Sequence, residues 1–126
     1  INEMLNENIE IKLTSGIQKR DFIYVTDVVS AYNVIIEKRK LLSAWNEFDI
    51  GTNTNTRVKD FVLTLANLLE KKYCIEIVPR LKFGAIPYRE NELMIPELDI
   101  KSLMALGWHS RVSTIEGIRL ILKDKL

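Results

Sequence analysis

One cysteine, one histidine, three prolines and five glycines are all that this chain of 126 residues holds of the residue types most used for redox, metal and tight-turn chemistry. A lone Cys74 cannot close an intramolecular disulfide, which points to a reducing, cytoplasmic setting. Its simplest expected role is that of a small buried hydrophobe on a strand. With His109 as the sole histidine, neither a histidine metal cluster nor a histidine pair can form. A mixed metal site of Cys74, His109 and carboxylates has no supporting spacing, and His109, after Gly107-Trp108, reads as a solvated turn residue. No G-x-S-x-G elbow positions a serine nucleophile. The glycines are scattered, so the glycine-rich dinucleotide fingerprint is missing. No apolar run approaches the ~20 residues of a membrane span. Eighteen basic and seventeen acidic residues leave a net charge of +1, which excludes nucleic-acid binding through bulk charge.

What is present describes one soluble α/β domain with a core of its own, 47% hydrophobic and 28% charged. The chain opens Ile1-Asn2-Glu3-Met4, with neither an initiator methionine nor a signal peptide. Met4-Leu5 among polar neighbours reads as the end of a helix entered from upstream, so a fragment is expected.

Taken in order, residues 1–7 read as a helix tail. Ile9, Ile11 and Leu13 alternate with Glu10 and Lys12 at the period of a half-buried strand, and Ser15-Gly16 ends it. A short apolar run, 22–25, predicts a second strand. Thr26 can cap the helix over 27–40, with Asp27 in its positive first turn. Val28, Val29, Ala31, Tyr32, Val34, Ile35 and Ile36 give that helix an apolar surface wide enough to be buried on more than one side. A strand is predicted at 45–50, ending at Gly51. Thr56 closes a polar loop as the cap of a helix carrying Val58, Phe61, Val62, Leu65, Leu68 and Leu69 at helical spacing. Ile75 and Ile77 suggest a strand that stops at Pro79. Residues 80–98, broken by Gly84, Pro87 and Pro96, fit no period but carry enough apolar side chains to be ordered against something. Asp99 caps a short helix stopped by Gly107, Trp108 packs back as an anchor, and Ser113-Thr114-Ile115-Glu116 is a capping box opening the last helix.

Two arginines stand out as candidate ligand contacts. Arg20 precedes the 22–40 unit, and Arg89 lies within the irregular stretch. Guanidinium groups on separate loops suit a diphosphate, because each fork gives charge-assisted hydrogen bonds to phosphate oxygens. An ordinary surface ion pair is the alternative, and spacing alone does not show convergence.

Five landmarks raise a resemblance. Gly16-Ile17-Gln18-Lys19-Arg20-Asp21-Phe22-Ile23-Tyr24-Val25-Thr26-Asp27-Val28 resembles the G-x-Q-x-R-D-F-x-Y-V-x-D-V segment of extended short-chain dehydrogenases, the NAD(P)-dependent epimerases, dehydratases and 4-ketoreductases of nucleotide sugars. Phe48-Asp49-Ile50-Gly51-Thr52 is similar to their F-N-I-G-T/S strand end, and Tyr88-Arg89-x-x-Glu92 to their R-x-G-D/E turn. Asp99-x-x-x-Leu103-x-x-Leu106-Gly107-Trp108 and Val112-Ser113-x-x-Glu116-Gly117-Ile118 follow in the same order.

The resemblance implies the C-terminal, substrate-binding part of such an enzyme, one fragment over 1–126. The family's G-x-x-G-x-x-G loop and Y-x-x-x-K pair are not in the sequence, so no catalytic residue is assigned. NAD or NADP would belong to the full-length enzyme and none to this fragment. By matched position Arg20 and Arg89 would contact the diphosphate of a nucleotide sugar, Glu92 would accept from the ribose hydroxyls, and Leu13 would pack against the base. Residues near 22–51 would thread back onto the N-terminal Rossmann sheet, leaving exposed faces of Val28, Val29, Tyr32 and Ile50 without a partner and making the fragment self-associate. The segment 85–92 resembles 4-ketoreductases most, with epimerase and dehydratase open. A stand-alone nucleotide-binding module and a dimerisation piece are the alternatives from other classes. Neither nucleic acid nor membrane is an expected partner.

Overall fold

In the computed structural model, residues 1–124 are described. Helix α1, Asn2–Leu5, leads to strand β1, Ile11–Leu13, whose buried–exposed–half-buried pattern matches the alternation in sequence. Strand β2, Lys19–Asp21, is followed by helix α2, Val25–Glu37. Strand β3, Asn55–Arg57, runs directly into the long helix α3, Val58–Tyr73. Strand β4, Leu81–Phe83, and helices α4, Lys101–Ala105, and α5, Thr114–Asp124, complete the chain.

The strands make two small sheets. β1 pairs in parallel with β4, placing Leu13 beside Phe83, and β2 pairs antiparallel with β3, placing Arg20 opposite Thr56. Two apolar clusters hold these pieces. One joins Met4, Ile11, Ala66, Leu69, Ile77, Leu81, Ile118 and Leu122, so α3 and α5 clamp the β1–β4 sheet. The other joins Ala31, Leu103 and Trp108, with Phe48 and Ile50 packed against them. Leu69, Ile77, Leu103 and Ile118 are wholly buried, and each such side chain contributes about 1.5–3 kcal/mol of burial. Trp108, 3% exposed, is the anchor the sequence predicts.

Several predicted elements form differently. The 22–25 run makes no ladder. The strand lies just before it, and Phe22 stacks on Phe61 of α3 with ring centroids 3.9 Å apart, so its apolarity serves packing. α2 therefore starts at Val25 with Tyr24 at its N-cap, and Thr26 lies inside the first turn. Thr56 is a strand residue opposite Arg20 and caps nothing. Residues 45–50 pair with no strand among the described residues; Phe48 and Ile50 lean on the second cluster instead. The capping features near the C-terminus form in part. Gly107 takes φ +92°, and Asp99 accepts from Lys101 N–H at 3.0 Å, although Ile100 holds the N-cap position of α4. Of the capping box, only the half in which Glu116 N–H donates to Ser113 Oγ, at 3.3 Å, is made among the described residues. Glu116 itself pairs with Arg119, at 3.9 Å.

The strand expected at 75–77 is replaced by a carboxylate clamp. Glu70 accepts from the backbone N–H groups of Ile77 at 2.6 Å and Val78 at 2.7 Å, which removes them from any ladder. Cys74, expected buried on that strand, is exposed and ends α3 in the left-handed region at φ +55°. The N–H groups of Val78 and Ile77 hold the Glu70 carboxyl below the ordinary glutamate range, with Arg80 adding a smaller pull and burial opposing. A carboxylate depressed in the folded state contributes stability above its unfolded pKa, lost as pH falls through the lowered folded value. Glu70→Gln is therefore expected to shrink the loss of stability between neutral and acid pH. Denaturant midpoints measured from pH 7 to pH 3 check this; parallel curves for the two proteins would reject it.

Candidate functional site

The irregular stretch predicted at 80–98 is a strap laced along the β1–β2 side of the molecule. Ile86 N–H donates to Leu13 C=O at 3.1 Å, and Lys19 N–H donates to Met94 C=O at 2.7 Å. Between these two points the strap has no ladder bonds, and its turn is marked by Asn91 at φ +61°. Side chains supply the remaining ties.

Arg20 supplies one. Its Nη1 donates to the carbonyls of Lys19 and Leu93, each at 2.6 Å, and its Nη2 pairs with the Glu92 carboxylate. This leaves the Nε–H and one Nη2 hydrogen for a further acceptor. Both side chains are partly open to solvent, 33% for Arg20 and 21% for Glu92. Glu92 N–H also donates to Arg89 C=O at 3.2 Å, so Arg89 rides the same turn. Its own side chain is exposed. The structure thus joins Arg20 to Glu92, puts Arg89 on the turn carrying Glu92, and places Leu13 one strand from Phe83 at the start of the strap.

Tyr88 supplies the other tie, and the sequence reading missed it. Its hydroxyl donates to Gln18 Oε1 at 2.8 Å. With its one hydrogen so used, it accepts from Ile17 N–H at 3.0 Å and from Ser15 Oγ at 2.7 Å. Burial pushes the phenol up, the bonds from Ser15 and Ile17 pull it down, and the balance lies below the ordinary tyrosine value. Gln18 is buried, and nothing in a one-residue pattern signals such a hub.

The loop that Tyr88 grips is held from its other side by α3. Lys59 N–H donates to Gly16 C=O and Val58 N–H to Gln18 C=O, both at 2.9 Å. Gly16 sits at φ +71°, and a Cβ there would come within 2.8 Å of Lys59 Cβ, so only glycine fits. Lys59 Nζ lies 4.9 Å from the centre of the Phe83 ring. Behind Arg20, Asp21 braces the 51–53 turn by accepting from Thr52 N–H, Thr52 Oγ1 and Asn53 N–H. A Cβ at Gly51 would come within 2.6 Å of Leu98 Cδ1 and 2.8 Å of Asp21 Oδ2, so a side chain there would have to displace Leu98 and the Asp21 brace.

An open cleft of about 550 Å³ lies elsewhere, between Thr52, Thr56 and Phe61 on one side and 110–115 on the other, and none of Leu13, Arg20, Arg89 or Glu92 lines it. Among the described residues no three His, Cys, Asp or Glu side chains are grouped to hold a metal, and no helix is long and apolar enough to cross a membrane.

Residues 1–51 match the NAD dependent epimerase/dehydratase family. Over 113 residues the chain is 39% identical to CDP-abequose synthase of Salmonella typhimurium, covering 90% of this chain and 36% of that protein. Over 126 residues it is 30% identical to dTDP-4-dehydro-6-deoxyglucose reductase of Escherichia coli, covering 98% of this chain and 36% of that protein. A crystal structure of UDP-glucose 4-epimerase with UDP-glucose from Thermotoga maritima matches with a TM-score of 0.67 at 29% identity, over 90% of this chain and 34% of that one. The chain spans 36% of the length of each of these two curated relatives.

Proposed function

We propose that the chain, whose residues 1–51 match the NAD dependent epimerase/dehydratase family and which is similar to curated relatives over 90% or more of its length, is the nucleotide-sugar-binding portion of an enzyme of that family. The observation that carries the reading is the ion pair between Arg20 of β2 and Glu92 of the strap, with Arg89 on the same turn as Glu92. In this reading the free hydrogens of Arg20 and the guanidinium of Arg89 take the diphosphate oxygens. Glu92 accepts from the ribose, and Leu13 packs against the base.

Nicotinamide supplies hydride chemistry when bound to such an enzyme. The scattered glycines of this chain form no phosphate cradle, so we assign the cofactor and the acid–base tyrosine to an N-terminal Rossmann portion outside this sequence. This chain binds and orients the sugar nucleotide. Reduction of a 4-keto sugar is our preferred reaction, supported by the reductase related over 98% of the chain. In such a reduction by the full-length enzyme, hydride from the nicotinamide would go to the sugar carbonyl carbon and a proton to its oxygen.

Calorimetric titration with UDP, CDP, GDP and dTDP tests the reading, on this chain and on the full-length protein. Binding by the wild type, lost in Arg20→Ala, Arg89→Ala, is the expected result and ranks the bases. Absence of binding in both forms would overturn it.

The same reading gives residues 22–51 to the Rossmann portion. Of the face expected to lie open, Val29 and Tyr32 are more than half exposed, joined along one face of α2 by Val25 and Ile36, whereas Val28 and Ile50 are half-buried. The isolated chain is therefore expected to self-associate, and Val29→Lys with Tyr32→Glu to return it to a monomer. Sedimentation velocity decides; a monomeric wild type would remove the assignment.

A further inference from the structure

Arg89 is exposed and its side chain makes no hydrogen bond or ion pair among the described residues, so its direction is set by the backbone on which it rides. That backbone, from Pro87 to Asn91, lies between the Ile86–Leu13 bond and the Arg20–Glu92 pair and belongs to no strand or helix. What fixes it at the residue before Arg89 is the Tyr88 hydroxyl, bonded to Ser15, Ile17 and Gln18. Those three residues sit on the loop that Gly16 and Gln18 anchor to the start of α3, a rigid base. Arg20 is held by bonds that do not involve Tyr88, to Leu93 C=O and Glu92 on the far side of the turn.

We propose that Tyr88 is a positioning residue for Arg89: its hydroxyl pins the strap to the β1–β2 loop so that the Arg89 guanidinium is presented to the same diphosphate as Arg20. This rests on the nucleotide-binding reading above. Removing the hydroxyl leaves the Ile17 N–H without its partner and lets the 87–91 turn wander. Arg89 then spreads over many placements, while Arg20 keeps its own ties. The loss is entropic, because the strap must be ordered again when ligand binds.

Tyr88→Phe is the discriminating substitution, since it deletes the hydroxyl and keeps the ring. Amide exchange at Ile17 is expected to quicken about tenfold, with faster exchange through 88–92. Unchanged rates would overturn the proposal without reference to any nucleotide. In titrations with UDP, CDP, GDP and dTDP, Tyr88→Phe is expected to cost about fivefold in affinity and Arg89→Ala about tenfold, with the double variant no weaker than Arg89→Ala alone. In an Arg20→Ala background, Tyr88→Phe should still cost its full fivefold. Additive losses with Arg89→Ala, or undiminished affinity in Tyr88→Phe, would overturn the positioning role. If no form of the wild type binds any of the four while Ile17 exchange responds, the nucleotide reading fails, and Tyr88 is a structural pin alone.

Discussion

Arg20→Ala is expected to weaken nucleoside diphosphate binding by about 100-fold or more, because two charge-assisted bonds to phosphate vanish together, worth roughly 3 kcal/mol. A second effect acts in the same direction. The Glu92 carboxylate, now paired with Arg20, would be left uncompensated beside the incoming diphosphate. Arg20→Lys keeps the charge but replaces a fork by a point, so it cannot hold Leu93 C=O, Glu92 and a phosphate at once. A loss of about tenfold is expected for it. Glu92→Gln removes the negative charge and retains an acceptor for a ribose hydroxyl, and is expected to cost threefold or less, about 0.6 kcal/mol. Stability should respond far less, since a partly exposed ion pair contributes about 0–1 kcal/mol. Calorimetry at one fixed low salt concentration, beside denaturant unfolding of each variant, separates binding from folding. Arg20→Ala with unimpaired affinity would remove Arg20 from the site.

The ordering of these variants depends on contacts that span the chain. Arg20 and Glu92 are 72 residues apart in sequence, and Tyr88 and Gln18 are 70 apart. Each arginine and Glu92 can be proposed one at a time from matched motif position, but no local pattern signals that Arg20 and Glu92 meet. Helices α3, α4 and α5 were legible because apolar spacing marks α3, Gly107 follows α4 and Ser113 opens α5. Strands β2, β3 and β4 were not, since three residues are too few to show a period of two. Residues 45–50 and 75–77 failed for a different reason. Their composition suits strands, but a strand exists only with a neighbour to share its ladder. For 75–77, Glu70 takes the N–H groups first. For 45–50, no pairing segment is among the described residues, which fits the proposal that they complete a sheet supplied by the Rossmann portion.

Asp27 shows how a residue can be located correctly from sequence and given too small a role. Its place in the first turn of α2 suggests a charge favoured by the helix dipole, an effect of about 0.3–1 kcal/mol. In the structure it is 3% exposed, and its Oδ2 accepts from the N–H groups of Arg111 at 3.0 Å and Val112 at 2.9 Å. One turn on, Ser30 Oγ donates to Asp27 C=O at 2.7 Å and accepts from Trp108 Nε1 at 2.8 Å. Asp27 and Ser30 together fasten α2 to residues 108–112, the link from the Trp108 cluster to α5. Asp27→Ala strands two backbone donors in a buried place, each costing about 1–3 kcal/mol, so a destabilisation of roughly 3 kcal/mol is expected. Asp27→Asn keeps an oxygen for both donors and should lose about half as much, since bonds to a neutral acceptor are weaker. Ser30→Ala removes only the Trp108 tie and should cost about 1 kcal/mol. If the two ties act as one fastening, Asp27→Ala and Ser30→Ala combined should cost less than the sum of their separate losses. Denaturant unfolding of the set measures all four values. A loss below 1 kcal/mol for Asp27→Ala would return Asp27 to the smaller, dipole-only role that its sequence position suggests.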